Sequence, residues 1–326
     1  MNINLYPVAS DVTGMTVGIV GAGALGSAYG GLLVNAGYDV RYLEIDDDIV
    51  DAIRSNGLRI EMPTDEDLLQ VDVPITSDPT EIGVVDILFI FTKSFDTEQA
   101  IQDAKPMVGS ETIVVTVQNG VTNMDDLAKH VGSDRVVGGY THVGSNKIGP
   151  GHVKLLGANQ TIIGGPDLDG AKRVASMMRD AGIPTEAVAD PLPHIWKKQL
   201  RTNVARKPIA ALTELRNGPQ VEFEETKEIA KLLIEEAVAV AEAKGIEILV
   251  DDPVNGFLET VPPEKYDKKS SILEDIENKR RTEIESINGA VVRYGEEEGI
   301  DVPYNRLVTA LVRAKERGYL ENPNNL

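Results

Sequence analysis

The chain has 326 residues, enough for about two domains, and its 42% hydrophobic and 26% charged residues are typical of a soluble globular protein. It has no cysteine, which excludes disulfides, thiolate catalysis and cysteine zinc sites and fits a cytoplasmic location. The net charge of −20 argues against nucleic acid or an anionic membrane as the main partner, and no apolar run approaches the ~18 residues of a membrane span.

The first half of the chain alternates short β-branched runs with helical segments. Residues 1–14 lack the basic and apolar regions of a secretory signal, so we interpret them as an extension before the first strand. Predicted strands follow in the order MTVGIVG, YDVRYLEI, VVDILFIFTK, ETIVVTVQNG, RVVGGYTHVG, HVKLLG and QTIIGG. Continuous valine and isoleucine runs indicate a sheet buried on both faces, and residues 57–77 resemble a hairpin inserted in a crossover. The alternation predicts a doubly wound, mostly parallel sheet of the Rossmann type over residues 15–188.

The second half shows only helical periodicity, as in EETKEIAKLLIEEAVAVAEAKG and YNRLVTALVRAKERG. The prolines of PTEAVADPLPH mark the boundary between the two halves. We therefore predict an α/β fold in which the sheet domain is followed by an all-helical domain over residues 189–326. This long helical half could also supply the interface of a homodimer.

A glycine-rich turn follows the first predicted strand and opens a helix, which is the context that a dinucleotide-binding fingerprint requires. Gly21 permits the tight turn, Gly23 lets a pyrophosphate approach the backbone, and Gly26 lets helix and strand pack closely. Free N–H groups at the helix start favour phosphate, although a strand–helix turn without a ligand is the alternative. The candidate cofactor-binding residues of the turn are Gly21, Ala22, Gly23, Ala24, Leu25 and Gly26.

Glu44 ends the second strand, 18 residues after Gly26. A carboxylate there can accept hydrogen bonds from both adenosine ribose hydroxyls and would repel a 2′-phosphate. The acidic residues that follow also disfavour a third phosphate, so NAD is favoured over NADP. The alternative is that Glu44 is a surface acid and Arg41 selects the cofactor.

Lys93 and Asn119 follow two further strands, at the ligand-binding edge of an open sheet. An ammonium or carboxamide there could hold ribose or nicotinamide. Asn119 precedes a glycine, so a plain turn is the alternative. His142 is expected to have a structural role, His194 to start a helix, and no spacing of histidines and carboxylates suggests a metal site.

The chain resembles the ketopantoate reductase family from about Met15 to near its end. The resemblance rests on GAGALG, TKSFDTEQA, VQNG, THVG, GPGHVKLLG, NVARKPIAAL, KSSILEDIE and, most specifically, RRTEIESINGAVVRYGEEEGI. It implies a Rossmann domain and a helical domain with the active site in the cleft between them. The implied reaction is hydride transfer from a nicotinamide cofactor to the keto carbon of a 2-oxo acid, usually 2-dehydropantoate, which gives pantoate.

The resemblance also implies roles for individual residues. It makes Asn119 a contact of cofactor and substrate and Gly144 a neighbour of the cofactor. The implied substrate contacts are Asn203, Asn217 and Ser271. Glu283 becomes a catalytic carboxylate that faces both cofactor and substrate.

The family pattern Trp-x-Lys-Leu-x-x-Asn-x-x-x-Asn-Pro contains the general acid, and this chain departs from it twice. Trp196, expected in the core, is separated from Asn203 by seven positions instead of six, and Lys207 replaces the asparagine before Pro208. Counting forward from the tryptophan assigns the acid to Lys198.

In a regular helix, Lys198 lies about 140° from Asn203, whereas Gln199 and Lys207 each lie about 40° away. Regular geometry therefore favours Lys207 slightly, but a one-residue π-bulge after Lys198 would restore that lysine. A third reading is that neither lysine is catalytic.

The expected function is NAD(P)H-dependent reduction of 2-dehydropantoate, a step of pantothenate biosynthesis. The alternatives are reduction of another 2-oxo acid or an imine, and a nicotinamide-binding sensor that has lost catalysis. The ammonium of Lys207 puts the usual substrate in doubt, because a cation there could prefer a more anionic one.

Overall fold

A computed structural model describes residues 14–63, 67–259 and 261–321, so the predicted N-terminal extension lies outside the described residues except for Gly14. The chain divides into two compact units. The first unit comprises the chain up to Gln118 together with Asn123–Pro191. The second unit comprises Asn119–Thr122 together with the chain from Leu192 onward. Within the described ranges, no helix combines the length and apolar character needed to cross a membrane.

The first unit contains twelve strands and six α-helices among its described residues. Its strands are β1 (Thr16–Val20), β2 (Asp39–Leu43), β3 (Leu58–Glu61), β4 (Leu68–Val71), β5 (Ile75–Thr76), β6 (Val85–Ile90), β7 (Val108–Thr116), β8 (Val136–Thr141), β9 (Gly144–Gly149), β10 (His152–Gly157), β11 (Thr161–Gly164) and β12 (Thr185–Val188). Its helices are α1 (Ala24–Asn35), α2 (Asp47–Asn56), α3 (Pro79–Ile82), α4 (Thr97–Asp103), α5 (Asn123–Val131) and α6 (Leu168–Asp180).

The main sheet has eight strands in the order β12-β11-β8-β7-β6-β1-β2-β5. Every neighbouring pair is parallel except β11 with β8. The order reverses at β1, because β2 lies on one side of it and β6 on the other. A ligand-binding crevice forms at such a switch point in open α/β sheets, beyond the carboxyl ends of the strands. The predicted doubly wound fold is confirmed.

Both faces of this sheet are buried, as the continuous apolar runs predict. On β6, Ile87 and Phe89 belong to one apolar cluster, and Leu88 and Ile90 belong to another. All four side chains are at most 1% exposed. Alternate residues of a strand point to opposite faces, so helices must cover the sheet on both sides.

A second sheet has four strands in the order β4-β3-β10-β9. The antiparallel pair β3 and β4 is the predicted hairpin, and it lies in the crossover between β2 and β5. Strand β3 also pairs in parallel with β10, which comes about ninety residues later in the chain. The predicted hairpin therefore forms one side of a four-stranded sheet, and the other two strands come from a later part of the chain.

Helices and the segments that connect them make up the second unit among its described residues. Its helices are α7 (Leu192–Lys198), α8 (Val204–Thr213), α9 (Asn217–Glu222), α10 (Glu224–Ala243), α11 (Pro253–Leu258), α12 (Ser271–Glu277), α13 (Ile284–Glu298) and α14 (Pro303–Leu320). Trp196 is 1% exposed and its ring lies 6.4 Å from that of Tyr294, which confirms the predicted core position. Segment 119–122 is separated from the end of β7 by two residues and belongs to the same unit as these helices.

Candidate functional site

The three fingerprint glycines meet different surroundings. Gly21 has a φ of +97°, which disfavours any residue with a side chain. A Cβ added to Gly26 would lie 2.0 Å from the carbonyl oxygen of Gly21, so only glycine lets the helix pack on the turn. A Cβ added to Gly23 would meet no atom within 4 Å. Packing within the protein therefore does not require a glycine at position 23. The open space beside Gly23 lies where a pyrophosphate would approach the turn.

Helix α1 begins without any acidic or capping side chain. Its N-cap is Gly23, which makes no side-chain hydrogen bond, and its first turn contains no acid. Helix α2 offers a contrast, because Asp46 accepts hydrogen bonds from the backbone N–H groups of Asp48 and Ile49. The first-turn N–H groups and the positive end of the helix dipole are therefore available to an anion at α1. These features fit a dinucleotide pyrophosphate.

The carboxylate of Glu44 lies at the switch point of the sheet. It is 9% exposed and accepts hydrogen bonds from the backbone N–H groups of Ala22 (2.7 Å), Ile45 (2.8 Å) and Asp46 (3.0 Å). Since a carboxylate can accept about four hydrogen bonds, these three leave capacity for a ribose hydroxyl. The contact with Ala22 fixes the acid against the glycine turn.

The guanidinium of Arg41 is committed elsewhere. It pairs with Asp39 at 2.8 Å and donates to the carbonyl oxygen of Ile82 at 3.0 Å. The hydrogen bond to Asp39 raises the pKa of Arg41. The alternative in which Arg41 selects the cofactor requires it to leave both partners.

Other predicted residues of the first unit lie near strand ends. Lys93, half-buried, is the N-cap of a short 3₁₀ turn that follows β6, and Gly144 starts β9. His142 is exposed, donates its backbone N–H to Gln160 and packs edge-on against Tyr140, with ring centroids 5.1 Å apart.

In the second unit, residues Gln199–Asn203 form a π-helix between α7 and α8. The backbone N–H of Val204 bonds to the carbonyl oxygen of Gln199, five residues earlier. Because a π-turn places residue i over residue i+5, Lys198 lies over Asn203, and Lys207 follows one α-turn later. The insertion after Lys198 therefore brings both lysines to the face of Asn203.

Local chemistry explains this irregular backbone. The hydroxyl of Thr202 donates to the carbonyl oxygen of Lys198 at 2.7 Å and so competes with the regular helical bond. Pro208 lies inside α8 and has no N–H for the carbonyl oxygen of Val204. The side chain of Asn288 from α13 supplies the missing donor at 2.7 Å.

Lys198 donates a hydrogen bond from Nζ to Oδ1 of Asn119 at 2.9 Å. Burial lowers the pKa of Lys198 to about 8, and repulsion by Lys207 lowers it in the same direction, while the carboxylate of Glu283 opposes both. A half-buried lysine that is still mostly protonated at neutral pH is suited to general acid catalysis. Asn119, a neutral partner, orients the ammonium without stabilising its charge as an acid would.

Segment 119–122 is held against the start of α13. The backbone N–H of Val121 donates to the carbonyl oxygen of Ser286 at 3.3 Å. Gly120 has a φ of +105°, and a Cβ there would lie 2.7 Å from Cβ of Ser286. The Asn-Gly pair is therefore a turn, as the simpler reading expects, and it also carries the partner of Lys198.

Lys207 donates a hydrogen bond from Nζ to the hydroxyl of Ser271, the first residue of α12. Glu283, the N-cap of α13, is 9% exposed. The structure thus brings five predicted residues into one connected group: Lys198, Asn119, Lys207, Ser271 and Glu283.

Two predicted substrate contacts make separate interactions. Asn203 is buried and accepts a long hydrogen bond of 3.4 Å from Thr202. Nδ2 of Asn217 donates to the carbonyl oxygen of Lys265 at 3.2 Å, while its Oδ1 is buried without a hydrogen-bond partner among the described residues. Such an acceptor costs free energy unless a ligand donor pairs with it.

Sequence reasoning did not assign roles to Asn288 and Thr202, which shape the backbone under the lysines. The helical proline at 208 was the available signal, because it leaves a carbonyl group that some donor must satisfy. Gln199, a candidate for the lysine position, is 1% exposed and donates to the carbonyl oxygen of Ile287 on α13.

Comparisons with known proteins cover most of the chain. The family models described as "Ketopantoate reductase PanE/ApbA" and "Ketopantoate reductase PanE/ApbA C terminal" match residues 17–167 and 192–316. A 2-dehydropantoate 2-reductase of Archaeoglobus fulgidus is 37% identical over 93% of this chain and 98% of its own. The Halobacterium salinarum 2-dehydropantoate 2-reductase is 32% identical over 93% and 99%.

Solved structures agree with these matches. A PanE/ApbA family ketopantoate reductase from Ralstonia eutropha JMP134 is 34% identical, covers 93% of this chain and 99% of its own, and has a TM-score of 0.85. A D-mandelate dehydrogenase bound to NADH and anilino(oxo)acetate is 26% identical over the same shares, with a TM-score of 0.86. The chain belongs to the ketopantoate reductase family.

Proposed function

We propose that this protein is a reductase that converts 2-dehydropantoate to pantoate, with NADH as the preferred cofactor and Lys198 as the general acid. The observation that carries the proposal is the half-buried, hydrogen-bonded ammonium of Lys198, which interacts with Glu283 in a chain that also has an uncapped glycine turn for a dinucleotide. Family membership supports the substrate, since several relatives are named 2-dehydropantoate 2-reductase.

The nicotinamide cofactor, when bound, supplies a hydride to the keto carbon of the substrate. The chain's own contribution is at the oxygen, where charge develops as the carbonyl becomes an alkoxide. The ammonium of Lys198 stabilises that oxygen and donates the proton that completes the alcohol. Asn119 orients the ammonium, and Glu283 favours its protonated form. The amine then regains a proton from solvent.

Lys207 was the slightly favoured acid on regular helix geometry, and the π-helix supports Lys198 instead. The turn Gln199–Asn203 absorbs the extra residue of the family pattern, so Lys198 coincides with the pattern's lysine. Lys207 occupies the position of the pattern's second asparagine. We assign it to substrate binding along with Ser271, Asn203 and Asn217.

The preference for NADH over NADPH rests on charge. Glu44 and the acids at the start of α2 would repel a 2′-phosphate, and Arg41 is engaged by Asp39. The neighbouring D-mandelate dehydrogenase was solved with NADH, which supports the same choice.

Turnover tests the proposed function. The purified protein is mixed with NADH and, separately, with 2-dehydropantoate, 2-oxoisovalerate and phenylglyoxylate, and the loss of absorbance at 340 nm is followed. The proposal expects the highest kcat/KM with 2-dehydropantoate. Preference for phenylglyoxylate would instead favour an activity like that of the mandelate dehydrogenase. NADH binding without turnover on any acid or imine would indicate a sensor.

We further propose that the protein is a cytoplasmic homodimer that meets its second copy through α14. Three exposed apolar side chains form a stripe on this helix: Tyr304 (45% exposed), Leu307 (56%) and Leu311 (45%). Their spacing of three and four residues places them on one face. Arg306 and Arg313 flank the stripe, and each forms an ion pair with a glutamate. These pairs reduce the negative charge around the stripe in a chain whose net charge is −20. An apolar stripe is self-complementary across a twofold axis.

A further inference from the structure

Helix α14 carries a carboxylate at a position where helical periodicity predicts an apolar side chain. Its buried face includes Val308, Val312 and Glu316, which are spaced by four residues and therefore lie on one side of the helix. Glu316 is 8% exposed. A carboxylate in a core costs free energy unless hydrogen bonds replace the water that it loses. The hydrogen bonds of Glu316 should therefore show what this residue does.

Glu316 holds the backbone immediately before the proposed catalytic carboxylate. Its Oε1 accepts a hydrogen bond of 2.7 Å from the backbone N–H of Thr282, a residue that is 1% exposed. Thr282 directly precedes Glu283, the N-cap of α13. A hydrogen bond to an ionised acceptor is stronger than one between neutral groups. Fixing the peptide group of Thr282 restricts where the side chain of Glu283 can lie.

A second side chain of α14 contacts the same loop, which comprises residues 278–283 between α12 and α13. The hydroxyl of Tyr319, three residues after Glu316, donates to the carbonyl oxygen of Arg280 at 2.6 Å. From α12, the carboxylate of Asp275 is 2% exposed and accepts a hydrogen bond of 3.1 Å from Nε of Arg280. Two helices therefore hold this loop on the approach to Glu283.

The backbone of loop 278–283 is strained. Lys279 has a φ of +52°, in the left-handed region that residues with a side chain seldom adopt. A strained conformation persists only where the surrounding structure holds it, and such positions cluster at functional sites. The shape of the loop therefore depends on the hydrogen bonds from α12 and α14.

We propose that Glu316, assisted by Tyr319, is a positioning residue that fixes loop 278–283 and thereby holds the carboxylate of Glu283 in one place for the reaction. The inference rests on the proposed function, since it gives Glu316 a part in the same site. Glu316 acts through the backbone of Thr282. A shift of about 1 Å in an active-site group can lower the rate about a hundredfold, so the fixed loop has a direct consequence for catalysis.

The variant Glu316→Ala tests the proposal by removing the acceptor, and Glu316→Gln keeps an acceptor oxygen at the same place. With NADH and 2-dehydropantoate, we expect Glu316→Ala to lower kcat about ten- to a hundredfold and to leave KM within about threefold of the wild-type value. Glu316→Gln should keep kcat within about threefold of the wild type, because the N–H of Thr282 retains its acceptor. An unchanged kcat in Glu316→Ala would overturn the proposal.

Glu236→Ala is the matched control. Glu236 on α10 also holds α14, because it accepts hydrogen bonds from the backbone N–H groups of Tyr304 (2.9 Å) and Asn305 (2.8 Å) at the start of that helix. Its loss should lower the melting temperature as Glu316→Ala does, while kcat stays within about threefold of the wild type. A fall in kcat equal to that of Glu316→Ala would assign the effect to a weakened α14 and overturn the positioning role.

A double-mutant cycle with Glu283→Gln tests whether Glu316 acts through Glu283. If it does, Glu316→Ala should lower kcat/KM by less than about threefold in the Glu283→Gln background, although it lowers the wild-type value much more. Losses that multiply would show that the two residues act independently, which contradicts the proposal.

Amide hydrogen exchange, followed by NMR, gives a readout that does not need turnover. The N–H of Thr282 should exchange faster in Glu316→Ala than in the wild type, Glu316→Gln or Glu236→Ala. This exchange pattern without NADH oxidation by the wild type on any 2-oxo acid refutes the proposed function and retains the role of Glu316 in ordering the loop. Turnover by the wild type, with exchange at Thr282 and kcat both unaltered in Glu316→Ala, refutes the role of Glu316 alone.

Discussion

The acid strength of Lys198 depends on groups that come from distant parts of the chain. Asn119 is 79 residues away and Glu283 is 85 residues away, while Lys207 is on the next helix. Each contact alone is ordinary. Together with burial, they hold a lysine whose pKa of about 8 is close to a working pH, which general acid catalysis requires.

Replacing Lys198 by alanine should lower kcat/KM for 2-dehydropantoate by about 10²- to 10⁴-fold, the usual contribution of a positioned acid. Wild-type kcat/KM should fall as pH rises through about 8, because the acid loses its proton there, and the variant should lose this limb. Steady-state kinetics between pH 6 and 10 provide the measurement. Lys197→Ala is the matched control and should keep both the rate and the limb. An unchanged limb in Lys198→Ala would assign the titration to another group.

The same lowered pKa has a consequence for stability. Between pH 8 and 10.5 the unfolded chain holds a proton on Lys198 that the folded protein has released, so this residue adds stability as pH rises through that window. Below pH 8 the folded protein carries the cost of partly desolvating a charged lysine. The ammonium of Lys198, the proposed proton donor, therefore lowers the free energy of unfolding that the protein would otherwise have at neutral pH.

Replacing Glu44 by glutamine should reduce the preference for NADH over NADPH, measured as the ratio of kcat/KM values, by about tenfold. The carboxylate charge that repels a 2′-phosphate is removed, and a charge–charge term of this kind near a surface is about 1–4 kcal/mol. Glu61→Gln, at the end of β3, should leave the ratio unchanged. The melting temperature is recorded in parallel, because the amide cannot accept all three backbone hydrogen bonds that Glu44 accepts. A ratio that does not move would mean that Glu44 is not near the adenosine ribose.

At the scale of elements, two glycines at the start of helix α1 are expected to differ in role: Gly26 in stability and Gly23 in cofactor binding. Gly26→Ala should destabilise the protein by about 1–3 kcal/mol, because its Cβ would overlap the carbonyl oxygen of Gly21. Gly23→Ala should leave the melting temperature unchanged, since no protein atom lies within 4 Å of the new Cβ. It should nevertheless weaken NADH binding by at least about tenfold, because the methyl group occupies the approach of the pyrophosphate. Differential scanning fluorimetry and NADH fluorescence titration test both variants, and normal NADH affinity in Gly23→Ala would contradict the assigned pyrophosphate site.

The second feature at this scale is the hydrogen bond that joins α13 to α8, from the side chain of Asn288 to the carbonyl oxygen of Val204. Asn288→Ala should destabilise the protein by about 1–3 kcal/mol, because the carbonyl oxygen of Val204 loses its donor in a buried position. Adding Pro208→Ala supplies a backbone N–H to the same oxygen, so the cost of Asn288→Ala should be smaller in that background. Urea unfolding of the four proteins in this double-mutant cycle measures the coupling.

Asn278→Ala serves as the control for that cycle. Asn278 is exposed and also donates to a helix carbonyl, that of Glu274 at 2.7 Å. Its loss should cost less than about 0.5 kcal/mol, because water replaces the donor. Strict additivity of the Asn288 and Pro208 changes would show that the two side chains do not serve one carbonyl group.

At the scale of the whole molecule, the proposed homodimer makes a prediction about mass. The wild type should elute with twice the 35.2 kDa of one chain in light scattering. Changing both Leu307 and Leu311 to aspartate should give the monomer mass, because charge is then buried in the apolar stripe. Val84→Asp introduces the same charge at an exposed apolar residue outside the stripe, 63% exposed on the first unit, and should leave the dimer intact. A variant that keeps the wild-type mass would exclude α14 as the interface.

The sequence by itself determined the class of fold and the location of the glycine turn between the first strand and the first helix. Glycine spacing, continuous apolar strands and helical periodicity are local properties, and each acts within a few residues through backbone sterics or the side-chain period. These signals identified the parallel sheet, the hairpin at 57–77, the helical second half and the core position of Trp196 without any knowledge of distant contacts.

Only the tertiary structure decided how the charged residues combine. The π-helix at Gln199–Asn203 depends on a threonine hydroxyl that competes for one carbonyl group, and helical periodicity cannot distinguish it from a regular turn. The pairing of Lys198 with Asn119 and of Lys207 with Ser271 joins residues 79 and 64 positions apart. Electrostatic coupling depends on distance in space and on burial, and neither quantity is a property of a short stretch of chain.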